Sequence, residues 1–185
     1  GEAIKKAHDD MSDDKKIPGA RQELVDLAVA ELYAQVGLPI QAAELFGRAA
    51  DSAATPQAAR FMAQLLRASA LARGGRPDDA IRDLDWLIDK YQGLAKTRAI
   101  YAKASLLVAG KRLPEAEAVL ATLCKEAGSE RNPRALRLAA ELQVKIGRFD
   151  QALATCDTVQ QMLPTDPRSY LLRAGVLTAA RKTEQ

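Results

Sequence analysis

The chain has 185 residues, of which 48% are apolar but only 4% aromatic, so alanine and leucine carry its hydrophobic content. That balance suits helices packed closely on one another and disfavours a sheet; period-two alternation is sustained nowhere. The net charge of +3 is too small to specify nucleic acid, and no apolar run reaches the roughly 18 residues that a membrane-spanning helix needs. Charge is distributed unevenly: residues 1–92 hold 12 Lys/Arg against 15 Asp/Glu, and residues 93–185 hold 15 against 9. An acidic first half and a basic second half predict a directional electrostatic surface.

Residues 1–19 are dominated by charged and small side chains and read as either a capping helix or a disordered lead. From residue 20 onwards apolar residues recur at i, i+3, i+4 and i+7. This periodicity predicts helices over 23–37, 40–50, 58–75, 78–91, 97–110, 114–127, 134–147, 150–163 and 168–182. Gly37, Gly75, Gly110 and Gly147 stand where one helix of each pair must stop, because glycine tolerates a left-handed C-terminal cap. Pro39, Pro77 and Pro114 open the next helix, where a missing N–H costs little. Asp78, Asp79, Glu115 and Asp150 place negative charge at the following N-termini, as the helix dipole favours.

The helices come in pairs, and the pairs repeat. Ala42, Ala80, Ala116 and Ala152 each follow a turn, at spacings of 38, 36 and 36 residues. A fixed period of this length is the signature of a helical repeat array. Four residues beyond each of these alanines stand Phe46, Leu84, Leu120 and Cys156. Ala30, Ala68, Ala104, Ala140 and Ala174 occupy equivalent places in the preceding helices. This pattern resembles the tetratricopeptide repeat family, whose paired helices A and B cross at small residues. Pro164 matches the family's closing proline. The periods exceed the family's usual length of about 34, and Trp86 lies in a helix B rather than a helix A. The resemblance implies an all-α, right-handed α-solenoid of antiparallel helix pairs; the rival readings are other helix-hairpin repeats, such as Sel1-like units or an irregular α-solenoid. The solenoid would run over residues 20–181 as four repeats plus a fifth helix A, with a tail at 182–185. That unpaired last helix reads either as part of a longer array or as the place of a C-terminal cap outside this sequence.

Catalytic chemistry finds little support. The single histidine, His8, stands beside Asp9, Asp10, Asp13 and Asp14, and this cluster reads as a solvated lead rather than a cation site. Neither a Ser–His nor a Cys–His nucleophile system can be assembled from it. Cys124 and Cys156 fall in apolar-periodic segments and read as buried reduced thiols, as suits a reducing compartment; they lack zinc spacing. The stretch "RGGRP" is a turn without the Lys-Ser/Thr ending of a phosphate loop. No cofactor, metal ion or catalytic residue is expected.

The family resemblance implies instead a groove lined by helices A. Its exposed positions map to Leu27, Glu31 and Gln35, to Met62, Leu65, Ser69 and Arg73, and to Arg98, Tyr101 and Ser105. They continue at Arg134, Arg137, Glu141 and Lys145, and at Arg168 and Leu171. The carboxylate clamp of chaperone-binding members needs Lys and Asn where Leu27, Glu31 and Leu66 stand here, so a chaperone tail is not the expected ligand. The expected partner is a protein segment of acidic character, extended or helical, docked within a larger assembly. An RNA-binding repeat and a spacer that self-associates through the unpaired last helix are the other readings.

Overall fold

The computed structural model describes residues 1–13 and 21–183, with side chains to residue 181. Residues 14–20, which include Asp14 and the rest of the lead, and residues 184–185 lie outside the described residues. Those described fold into α-helices joined by short turns, with no strand among them. In order they are α1 (Glu2–Ser12), α2 (Gln22–Gln35), α3 (Pro39–Asp51), α4 (Gln57–Arg73), α5 (Pro77–Lys90), α6 (Gly93–Ala109), α7 (Leu113–Ser129), α8 (Pro133–Lys145), α9 (Phe149–Met162) and α10 (Pro167–Thr183). They divide into two compact units, residues 1–87 and 88–185.

In the first unit α1 packs on α2, α2 on α3 and α3 on α4. In the second, α6 packs on α7, α7 on α8, α8 on α9 and α9 on α10. Here α8 also touches both α6 and α10, so three helices A lie side by side. The packing follows the repeat register. Ala30, Ala68, Ala104 and Ala140 in helices A are all buried, as are Ala42, Ala80, Ala116 and Ala152 in helices B. Phe46, Leu84, Leu120 and Cys156 are at most 2% exposed. A methyl group on each side of the crossing lets two backbones approach closely, and the larger side chain fills the space beside it. Ala174 shares the register but is exposed, because no helix follows α10 among the described residues.

Five turns, α2–α3, α4–α5, α6–α7, α7–α8 and α8–α9, share one geometry. A residue with positive φ follows the helix, and the next N–H reaches back to the carbonyl five residues earlier. Leu38 bonds to Tyr33, Arg76 to Leu71, Arg112 to Leu107, Asn132 to Ala127 and Arg148 to Gln143, at 2.7–2.9 Å. Gly37, Gly75 and Gly147 supply the positive φ, as expected. Gly110 does not: its φ is −78°, and Lys111 takes the left-handed position at +57°. The α7–α8 turn likewise uses Arg131 at +50°. The hydrogen-bond pattern of the turn overrides residue preference at both positions. The extra length of the first repeat sits at residues 52–56, where the Thr55 hydroxyl donates to the Ala49 carbonyl and Arg60 donates to the carbonyls of Ser52 and Thr55.

Two outcomes follow for stability. Replacing Ala140 by Leu should cost about 1–3 kcal/mol by overpacking the crossing, whereas Ala174→Leu should stay within about 0.5 kcal/mol of the parent; urea midpoints compare them. Lys111→Gly should gain about 0.5–1 kcal/mol by removing the left-handed penalty, while Gly147→Ala should lose about 1 kcal/mol.

Candidate functional site

In the first unit the expected groove residues separate into two groups. Glu31, Gln35, Ser69 and Arg73 come together around a cleft of about 290 Å³ between α2 and α4, floored by Phe46 of α3. Arg73 reaches across it, its Nη2 donating to the Ala34 carbonyl at 3.1 Å. Leu27, Met62 and Leu65 do not line this cleft; Leu66, the next residue along α4, does. Sequence mapping chose one flank of the helix A surface, and the cleft uses the other flank as well.

A larger open cavity of about 640 Å³ in the same unit was not anticipated. It lies against α1 and α3, with His8, Tyr33, Arg48 and Arg67 among its lining residues. His8 is not part of a solvated lead: it sits on α1, and its Nε2 lies 2.8 Å from Oδ1 of Asp26, which is 3% exposed. The same oxygen accepts from Gln22 Nε2 at 2.9 Å and from Arg48 Nη2 at 3.3 Å. These bonds satisfy a buried carboxylate that would otherwise be costly. The helical spacing of Ile4, His8 and Met11 was the available signal.

In the second unit the candidate face is the row of helices A. Arg98, Tyr101 and Ser105 lie on α6; Arg134, Arg137, Glu141 and Lys145 lie on α8; Arg168 and Leu171 lie on α10. Arg98, Arg134 and Arg168 are exposed, and among the described residues neither Arg98 nor Arg134 pairs with a carboxylate. Tyr101 is half-buried against the core made by Ile100, Leu120 and Leu142. The Ser105 hydroxyl oxygen is buried and has no hydrogen-bond partner among the described residues. Arg137 is committed internally, its Nη1 donating to Asp166 Oδ2 at 3.0 Å. Asp166 also accepts from the Arg168 backbone N–H at 3.1 Å and faces that guanidinium at 3.4 Å. The Arg168 N–H and the Arg137 guanidinium hold its carboxyl below the ordinary value. Leu171, 70% exposed, adds apolar surface.

Cys156 is buried, but Cys124 is only half-buried, and both are free. Cys124 belongs to a polar knot: Gln143 Nε2 donates to its sulfur at 3.6 Å, and Thr155 Oγ1 lies 2.9 Å from Gln143 Oε1. Burial pushes both thiols up, away from the reactive thiolate. Among the described residues no three His, Cys, Asp or Glu side chains converge to hold a metal ion. No helix among them is long and apolar enough to cross a membrane.

Buried alanines at a fixed register, capped turns and adjacent helices A define a helical-hairpin repeat array. The family model for the tetratricopeptide repeat matches residues 65–130 and again residues 101–167. Together these cover more than half of the chain, which belongs to the tetratricopeptide repeat family. Among curated proteins and among solved structures, nothing matches the chain. Repeats of this family generally serve as protein-interaction modules and are typically non-catalytic scaffolds.

The Asp166 carboxylate carries a pH signature. Its depressed value means that the stabilisation which the Arg168 N–H and the Arg137 guanidinium give this carboxylate is fully present above the ordinary Asp range, about 3.9, and is lost as pH falls through the lower folded value. Asp166→Asn should therefore lower the melting temperature at pH 7, and the difference from the parent should vanish in more acidic solution; melting curves across pH 2–7 check this.

Proposed function

We propose that the chain is a non-catalytic docking module whose helix A surfaces bind a segment of a protein partner within a larger assembly. The observation that carries this reading is the exposure of Arg98 and Arg134 on neighbouring helices, without internal carboxylates. Elsewhere in the chain arginines are commonly neutralised: Arg76 and Arg82 meet Asp79, Arg112 meets Glu115, and Arg148 meets Glu117. Guanidinium groups left exposed and unpaired on one face are available to carboxylates of a partner. The cleft between α2 and α4, with Leu66 and Phe46 against Glu31 and Arg73, offers a separate mixed surface for docking. The acidic character of the partner rests on the arginines of residues 88–185.

The test is an affinity capture from the native source, with bound protein and RNA both identified. Bait carrying Arg98→Glu and Arg134→Glu should lose a protein partner that bait carrying Arg82→Glu and Arg112→Glu retains. Equal loss from both baits, or loss of RNA alone, contradicts the reading.

A further inference from the structure

Three arginines of the second unit, one on each of its helices A, occupy one register position. Arg98, Arg134 and Arg168 each stand six residues before the marker alanine of their helix, at Ala104, Ala140 and Ala174. Their helices are neighbours, since α8 packs against both α6 and α10. All three are exposed, and Arg168 keeps 79% of its side-chain surface while touching Asp166. We infer that this arginine row recognises an extended acidic segment that lies across the three helices and presents a carboxylate at every third residue.

The inference deepens the docking reading above and rests on it. The spacing argument is geometric. Packed helices stand about 8–10 Å apart, so equivalent positions on α6, α8 and α10 recur at about that interval. A polyproline II segment rises about 3.1 Å per residue with three residues per turn, so its i, i+3 and i+6 side chains share one face about 9 Å apart. A β-strand alternates its side chains and would turn the middle carboxylate away.

The structure also holds an internal example of the recognition. Asp166 places a carboxylate on Arg137 at 3.0 Å and beside Arg168 at 3.4 Å, on the edge of this same face. Guanidinium–carboxylate pairing is thus the chemistry that this surface already performs. A single-stranded nucleic acid would need stacking platforms, and the register three residues further along holds Tyr101, Arg137 and Leu171, with one aromatic among them.

The experiment uses the whole chain and four probes in fluorescence anisotropy at low salt. One is a synthetic proline-containing peptide with three Asp at i, i+3 and i+6. Another has the same composition with the three Asp contiguous. A third is a helix-forming peptide with Asp at i, i+7 and i+14. The last is a single-stranded RNA of equal charge. The i, i+3, i+6 peptide should bind about fivefold or more tightly than either peptide isomer. Each of Arg98→Gln, Arg134→Gln and Arg168→Gln should weaken it about two- to fivefold, the range for exposed pairs, with melting curves unchanged. Equal binding of the isomers, preference for the helical peptide, or no peptide binding overturns the spacing. Loss of a partner in the capture experiment would still stand as evidence for docking. Tighter binding of the RNA, lost with the same substitutions, overturns the peptide as the occupant.

Discussion

The close approach of paired helices at alanine is the constraint on which the rest depends. At each crossing a buried alanine of helix A, such as Ala104 or Ala140, meets the crossing that a buried alanine of helix B, such as Ala116 or Ala152, leaves open. Neither helix could approach as closely with a larger side chain, and the larger neighbour, Leu120 or Cys156, fills the space that remains. Because the crossing recurs at a constant register, it places the same position of every helix A on the same side of its unit. Surface chemistry is therefore organised by core packing: an arginine six residues before the alanine in three helices becomes a row of charge.

The two units spend their charge differently. In residues 1–87 the acidic surplus is partly turned inward, where Asp26 binds His8, Gln22 and Arg48 and ties α1 to α2. The helix A surface there is a mixed cleft of Glu31, Ser69, Leu66 and Arg73. In residues 88–185 several basic side chains are neutralised, Lys96 by Glu126, Arg137 by Asp166 and Arg148 by Glu117. Among the described residues, exposed positive charge with no carboxylate partner remains on the helices A at Arg98 and Arg134, and also at Lys145 and Arg181. The net charge of a segment predicted the sign of its surface, but the ion pairs decide which residues express it.

Much of this architecture was legible in the sequence, because alanine register and helical periodicity are local properties. Segment ends agreed closely with the helices, apart from α6, which starts four residues before the periodic run at Thr97. The features that escaped are those set by tertiary contacts. Lys111 and Arg131 adopt the left-handed turn position that residue preference assigned to Gly110 or to no residue. His8 docks on a carboxylate 18 residues away, and Arg137 is taken by a carboxylate 29 residues away. Cys124 is half-buried, and its sulfur takes part in the Gln143–Thr155 knot as well as packing against apolar neighbours. In the first unit the helix A cleft takes Glu31, Gln35, Ser69 and Arg73 from the mapped stripe but Leu66 in place of Leu65.

The central claim is that helices A of residues 88–185 form a docking face that their crossings hold in register. Arginine-selective chemical labelling, read by mass spectrometry with and without a captured partner, tests it most directly. The account predicts that a bound partner protects Arg98, Arg134 and Arg168 while Arg112 and Arg131, on the helix B side and in a turn, stay reactive. Protection of Arg112 and Arg131 with Arg98 and Arg134 left reactive would contradict it.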